Sequence, residues 1–186
     1  MTLSLERRLD RLEARAEIAE LCTNYCIACD DRDLALLESC FTADVRLLSL
    51  DRLLDANGRD EAMTMFRNIL GIRGPGFHWT HDRIIRFDDA NPDRAEGLVL
   101  AHAETTPHGK ASIAGIRYND AYRREGGRWK FAARTLSFLY YMEMADFIQH
   151  FPTRKRIGLG GNWREADFPE KLPNWATAPS LEQSGG

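Results

Sequence analysis

Two histidines near the middle of the chain are the residues best suited to acid–base chemistry. His78 and His81 fall in the stretch Phe77-His78-Trp79-Thr80-His81-Asp82-Arg83, which has strand character. Successive side chains of a strand point to opposite faces, so one of the two should look inward and the other outward. Histidine titrates near neutral pH, and a carboxylate on its second ring nitrogen fixes the tautomer and raises its basicity. Asp30 and Asp31 are candidate partners, although an aspartate at a helix end is more commonly a cap or a solvated charge.

Two further polar residues lie within predicted strands. His102 shares one strand face with Leu98, Leu100 and Glu104. Arg134 shares a face of the last strand with Phe138. If Arg134 points inward, burial would be very costly without a carboxylate or an anionic ligand; the alternative is that it faces solvent. Trp79 and Phe138 are candidate walls of an apolar pocket.

Cysteines crowd into one early region, and their spacing resembles a cluster motif. Cys22, Cys26 and Cys29 have the separations of the radical SAM triad, but they lie in a helical segment without repeated strand–helix units. We interpret them, with Cys40, as free thiols that line the core or a pocket in a reducing compartment. A metal site shared by His78, His81 and His102 is disfavoured by the opposite parity of the first two. No metal or other cofactor is therefore expected.

The first half of the chain reads as helices around one short strand. Apolar residues recur at three and four residue intervals from Leu5 to about Asp30, which is a helical period. Asp33 to Phe41 reads as a second helix capped by Asp31 or Asp33, and Asp60 to Leu70 as a third after the turn signal Asn57-Gly58. Val45 to Leu50 is a strand candidate.

The second half reads as strands joined by turn residues. After the loop from Gly71 to Gly76, four strands are predicted: Phe77–Phe87, Ala95–Thr105, Ala111–Arg123 and Arg128 to about Met142. Consecutive long strands form an antiparallel sheet, and the upstream helices must cover one face of it. The prediction is an α+β cone-shaped barrel, with N-terminal helices packed on a strongly curved, mostly antiparallel sheet. Residues 1–150 would form this domain. Residues 151–186 would wrap over it or over a neighbouring subunit, with the last few disordered.

Composition narrows the possible partners. The chain has 186 residues, 44% hydrophobic and 28% charged, with a net charge of -3. This balance gives no electrostatic reason to expect nucleic acid. The N-terminus is charged and lacks the apolar stretch of a signal peptide or membrane span, so we expect a cytoplasmic protein without a membrane partner. A small molecule is the expected partner.

Several segments together resemble the SnoaL-like branch of the nuclear transport factor 2-like superfamily, over roughly Leu5 to Tyr141. The segments that carry the resemblance are Tyr25-Cys26-Ile27-Ala28-Cys29-Asp30-Asp31-Arg32-Asp33, Cys40-Phe41-Thr42-Ala43-Asp44-Val45, Gly58-Arg59-Asp60-Glu61-Ala62, His78 at a strand start, and Tyr118-Asn119-Asp120-Ala121-Tyr122 through Phe131. Within that branch the chain is similar to scytalone dehydratase, the bile-acid 7α-dehydratases and hexachlorocyclohexane dehydrochlorinase.

The resemblance implies roles for particular residues. Asp30 would orient His78, and His78 would remove a proton from the substrate. Tyr25 would serve as a pocket hydrogen-bond donor, while His102 and Arg134 occupy positions that are polar in the family. The dehydrochlorinase has a lysine where Tyr25 stands, which leaves the leaving group open.

The expected activity is that of a cofactor-independent lyase acting on a hydrophobic cyclic or aromatic molecule. Dehydration is the first expectation, and loss of HCl or of a small carbonyl fragment would use the same residues. The alternatives are an isomerase or polyketide cyclase, and a non-catalytic ligand-binding module or dioxygenase small subunit. The resemblance also implies a homo-oligomer, with a trimer favoured over a dimer.

Overall fold

The computed structural model describes residues 3–176 and contains five α-helices and six strands within them. The helices and strands up to the last strand are α1 (Leu5–Asp31), α2 (Leu34–Ser39), β1 (Phe41–Ser49), β2 (Asp55–Asn57), α3 (Arg59–Gly71), β3 (Phe77–Phe87), β4 (Arg94–Thr105), β5 (Ser112–Glu125) and β6 (Arg128–Glu143). The short elements that follow are a 3-10 turn (Met144–Asp146), α4 (Phe147–His150), a second 3-10 turn (Leu159–Gly161) and α5 (Pro173–Ala176).

All six strands form one sheet in the order β2-β1-β6-β5-β4-β3. Every neighbouring pair is antiparallel except β1 and β6, which run parallel. The face that we call the inner face is covered by α1 against β3 and β6 and by α3 against β1 and β2. Helices upstream of a long meander can cover only one of its faces, which gives the two layers. The predicted fold class is confirmed.

Helix α1 begins at a serine cap and delivers its last turns to the inner face. The Ser4 hydroxyl accepts from the Arg7 N–H, as helix N-caps do. Beyond the first turns its buried face runs from Ala14 to Cys29. The helix ends at Asp31, and the residue that caps it, Arg32, is in the left-handed region (φ 59°). Leu5, Leu9 and Leu12, which continue the apolar period, are exposed instead. The helical period therefore predicts helix α1 correctly. It does not predict that the first turns of this helix extend beyond the sheet and stay exposed.

The second predicted helix is too long at its end. Asp33 caps α2 as predicted, since its carboxylate accepts from the Leu36 N–H at 2.9 Å. The helix ends at Ser39 rather than Phe41. Phe41 already opposes Phe131 of β6 as the first residue of β1, and both rings are fully buried. Sheet pairing has overridden the local helical pattern.

The chain after β6 returns to the edge of that strand. The β1–β6 pairing reaches Leu136, and beyond it the β6 backbone bonds to the C-terminal segment. Tyr141 donates its N–H to the Arg156 carbonyl, and the N–H groups of Gly158 and Asp167 bond to the carbonyls of Tyr141 and Phe138, each at 2.9 Å. Residues 177–186, which include the end predicted to be disordered, lie outside the described residues. Among residues 3–176 no helix is long and apolar enough to cross a membrane.

Candidate active site

Asp30 and His78 form a close pair at the end of α1. The Nδ1 atom of His78 lies 2.6 Å from Oδ1 of Asp30, and the backbone N–H of His78 donates to Oδ2 at 2.9 Å. The two side chains are only 13% and 10% exposed. Because the ionised carboxylate can only accept, we assign the imidazole proton to Nδ1. The Nε2 atom is then the ring nitrogen available to take a proton.

A small cavity borders this pair. Its volume is about 20 Å³, which is room for about one water molecule. The lining residues are Cys29, Asp30, Arg32, Leu70, Arg73, Gly74, Gly76, His78 and Thr105. The pair is therefore nearly buried, and the space that it borders is small.

His102 and Trp79 do not join His78, which corrects their predicted placement in the pocket. His78 is opposite Ala103 on the inner face, whereas Trp79 is opposite His102 in the same ladder. Residues directly opposite in an antiparallel pair share a face, so Trp79 and His102 lie on the outer face. His81 is there too, because its Nε2 lies 2.7 Å from Nδ1 of His102.

Arg134 is fully buried on the inner face, and its carboxylate partner is Asp120. The Nε and Nη2 atoms of Arg134 donate to the two Asp120 oxygens at 2.8 Å each. Both side chains are 0% exposed, so the solvent-facing alternative for Arg134 is wrong. Tyr118 and Tyr122 flank Asp120 at alternate positions, and both are buried. That alternation placed Asp120 on the buried face and could have identified it as the partner.

Tyr25 and Phe138 also lie on the inner side. The guanidinium of Arg134 sits 4.3 Å from the centroid of the Tyr25 ring. Tyr25 makes edge contacts with four other rings, and burial raises the pKa of its hydroxyl well above the ordinary value. Phe138 is buried and stacks on Tyr141 with centroids 5.5 Å apart. Tyr25, Arg134 and Phe138 thus share with His78 the side of the sheet that faces α1.

Three polar residues near the pair were not singled out from the sequence. Arg73 lines the cavity and donates from Nη2 to the Tyr141 hydroxyl at 3.3 Å. The same hydroxyl lies 3.1 Å from Oγ1 of Thr105. Arg73 belongs to the loop from Gly71 to Gly76, which the sequence indicated only as the connection between the helical half and the strands. No local pattern marked Arg73 as functional.

The four cysteines are buried, free thiols. Burial raises the pKa of Cys26 to about 12 and that of Cys40 to about 11, so both are neutral at physiological pH. In the described part of the chain, no group of three or more His, Cys, Asp or Glu residues is arranged to hold a metal ion. These thiols act here as small apolar packing groups.

Comparison with known proteins identifies the family of this chain. The model of the SnoaL-like domain matches residues 10–135, more than half of the chain. The chain belongs to the SnoaL-like domain family. Gamma-hexachlorocyclohexane dehydrochlorinase of Sphingobium indicum is 26% identical over 147 residues, which cover 77% of this chain and 90% of that relative.

Solved structures agree on the fold. The crystal structure of LinA matches with a TM-score of 0.68 and 23% identity, covering 75% of this chain and 95% of that one. A provisionally named scytalone dehydratase from Novosphingobium aromaticivorans matches with a TM-score of 0.64 and 20% identity, covering 75% and 91%. The dehydrochlorinases are lyases, so lyase-type chemistry is supported at the level of the family.

Proposed function

We propose that this SnoaL-like protein is a cofactor-independent lyase in which His78, held by Asp30, removes a proton from carbon. The observation that carries the proposal is the Asp30–His78 pair, with its 2.6 Å contact and its second bond through the backbone N–H. Both carboxylate oxygens are occupied by one histidine, so the ring is fixed in position and tautomer. A general base held in this way contributes about 10²–10⁴-fold to a rate.

The reaction is an elimination. Nε2 of His78 accepts a proton from the carbon next to the bond that breaks, and the C–H electron pair becomes the new C=C bond. The leaving group departs with the electrons of its own bond, as hydroxide or chloride. Asp30 stabilises the imidazolium that forms. The proton then passes to the departing hydroxide to give water, or to solvent when chloride leaves.

Tyr25, Arg134 and Phe138 are the proposed substrate-side residues, and the substrate is a hydrophobic cyclic or aromatic molecule. The relatives named for hexachlorocyclohexane act on such a ring. A cavity of about 20 Å³ is much smaller than the roughly 300–1,000 Å³ typical of ligand pockets. Binding therefore requires movement of cavity-lining residues, of which Arg32 is exposed and Arg73, Gly74 and Gly76 are partly exposed.

The test is turnover by His78→Gln and Asp30→Asn variants. The panel contains γ-hexachlorocyclohexane, followed by chloride release, and aromatic β-hydroxy ketones, followed by mass for loss of water. For whichever compound reacts, each variant should lower kcat/KM by about 10²–10⁴-fold. His81→Gln is the matched control, because His81 lies on the outer face. Near-normal rates in both inner-face variants would rule out this mechanism, and a product of unchanged mass would favour an isomerase or cyclase.

We also infer a homo-oligomer, with a trimer favoured over a dimer, in a reducing compartment such as the cytoplasm. Apolar side chains on the outer face of β3 and β4 are about half exposed: Phe77, Trp79, Ile84 and Leu100. Such a surface is typical of association. The four free thiols fit a reducing environment. Sedimentation equilibrium of the full chain measures the assembly, and a monomer at all concentrations would contradict it.

A further inference from the structure

The cavity beside His78 contains a cation without a carboxylate partner. Arg73 lines it together with Asp30 and His78. Both Asp30 oxygens bond to His78, and no carboxylate in residues 3–176 lies within ion-pair distance of Arg73. The only side-chain partner of its guanidinium in that part of the chain is the neutral Tyr141 hydroxyl. A half-buried cation in this setting favours an anionic ligand.

The loop that carries Arg73 is held in place by its backbone. The Arg73 carbonyl accepts from Nη2 of Arg32 at 2.6 Å. On either side, the Ile72 carbonyl accepts from the His108 N–H at 2.9 Å, and the Gly74 N–H donates to the Thr106 carbonyl at 3.2 Å. A Cβ atom on Gly74 would lie 2.8 Å from the Thr106 hydroxyl, so glycine permits this close approach. The position of the Arg73 backbone beside the cavity is therefore fixed by the segments that contact it.

Two hydroxyl groups accompany Arg73. Tyr141 comes from β6 and Thr105 from the end of β4, and their oxygens are 3.1 Å apart. Both side chains are buried, and Tyr141 is braced by stacking on Phe138. Arg73 and Thr105, which line the cavity that His78 borders, thus both contact the phenol of Tyr141, which comes from a separate element.

We infer that Arg73 and Tyr141 form a subsite for a carboxylate or carbonyl oxygen, so that the substrates of this protein are oxygenated next to the carbon that loses its proton. The catalytic half of this inference rests on the proposed function, whereas oxyanion binding does not. When His78 takes the proton of a carbon beside a carbonyl, the C–H electron pair forms the C=C bond of an enolate and the π pair of the carbonyl moves onto its oxygen. Arg73 and Tyr141 stabilise that negative charge. The enolate then reforms the carbonyl as the C=C bond forms and the neighbouring leaving group departs with its electron pair.

This subsite distinguishes oxygenated substrates from halogenated hydrocarbons. Hexachlorocyclohexane carries no oxygen, so it could not use the Arg73 guanidinium in this way. The chain should therefore prefer a β-hydroxy carbonyl compound over γ-hexachlorocyclohexane, despite its similarity to a dehydrochlorinase.

The test measures binding, so that it does not depend on turnover. Isothermal titration calorimetry compares the affinity for benzoate with that for the neutral benzyl alcohol. It is run on the full-length protein and on its Arg73→Met and Tyr141→Phe variants. Benzoate should bind the unsubstituted protein more tightly than benzyl alcohol. Its affinity should fall by at least about tenfold in Arg73→Met, the loss expected for a charged hydrogen bond. Tyr141→Phe keeps the ring, and it should weaken benzoate by a smaller factor with the fold preserved.

Arg67→Met is the matched control, because Arg67 is exposed on the neighbouring helix α3 and loses the same charge. It should bind benzoate like the unsubstituted protein. Equal benzoate affinity in Arg73→Met and Arg67→Met would overturn the inference, as would benzoate that binds no better than benzyl alcohol. If His78→Gln retains turnover while Arg73→Met loses benzoate, the proposed function fails and the subsite stands. If His78→Gln loses turnover while Arg73→Met keeps its affinity for benzoate, the proposed function stands and the subsite fails.

Discussion

Replacing Asp120 by asparagine isolates a fully buried arginine. Both side chains of the Asp120–Arg134 pair are 0% exposed, and the pair has two hydrogen bonds of 2.8 Å. Asparagine keeps the shape but removes the negative charge, and it turns one oxygen into an N–H₂ group that faces the guanidinium. The Tyr122 hydroxyl, which donates to Oδ2 at 2.8 Å, is also at risk of losing its acceptor.

The magnitude follows from the burial. Removing one partner of a buried ion pair costs about 3–5 kcal/mol in the free energy of unfolding, because an uncompensated charge remains inside. With a urea slope of about 2 kcal/mol per M, the unfolding midpoint should fall by about 2 M. Equilibrium urea unfolding followed by tryptophan fluorescence measures this shift.

An exposed pair supplies the control. Asp44 also bonds to an arginine through two atoms, since Nη1 and Nη2 of Arg123 lie 3.1 and 2.5 Å from its oxygens. Its side chain is 68% exposed, so Asp44→Asn should cost less than about 1 kcal/mol. The double variant Asp120→Leu with Arg134→Met should regain most of the loss, since apolar replacement of a buried pair is often neutral. Equal costs for Asp120→Asn and Asp44→Asn would refute the reasoning.

Further predictions concern the thiols, the sheet and the C-terminal segment. Burial raises the folded pKa of Cys26 to about 12 and of Cys40 to about 11 from 9.0. Above pH 9 the thiols ionise in the unfolded chain but not in the folded one, so the free energy of unfolding should be intact below pH 9 and fall between pH 9 and 11. The loss should be up to about 1.4 kcal/mol per thiol per pH unit. A urea midpoint that stays constant over that range would contradict this. Gly97→Ala would bring a Cβ within 2.8 Å of the Tyr122 ring, and it should lower the free energy of unfolding by about 1–3 kcal/mol; a midpoint equal to that of the unsubstituted protein would show that the ring yields freely. Arg156→Met removes the hydrogen-bond donors to Glu170 and to three backbone carbonyls. Limited proteolysis should therefore cut residues 151–176 faster than in the unsubstituted protein. An unchanged cleavage rate would show that other contacts hold the segment.

Much of the fold follows from periodicity, and the errors of prediction fall where the local pattern is overridden or too short to read. The long strands and α1 carry strong local patterns, so the sequence predicts them near their observed bounds. Phe41 was predicted as helical because its local pattern is helical, but a non-local pairing with Phe131 decides its conformation. The strand β2 (Asp55–Asn57) is too short to have a periodic signal.

The site shows the same division between local and non-local information. Parity put His78 and His81 on opposite faces. The residues themselves offered Asp30 and Asp31 as carboxylate partners, and only the resemblance singled out Asp30 with His78. His102 was expected in the pocket because it stands at a position that is polar in the family, but its register with Trp79 puts it on the outer face. Arg73 could not be predicted, since its role depends on a tertiary contact with Tyr141, which lies 68 positions later.

The proton-transfer unit of Asp30 and His78 is tested most directly by a double-variant cycle on kcat/KM. If Asp30 acts only through His78, His78→Gln removes nearly everything that Asp30 contributes, because residues that act as a unit are not additive. The Asp30→Asn, His78→Gln double variant should then be as slow as His78→Gln alone, within about threefold. Losses that multiply in the double variant would contradict the account, since they would mean that the two residues serve the reaction independently.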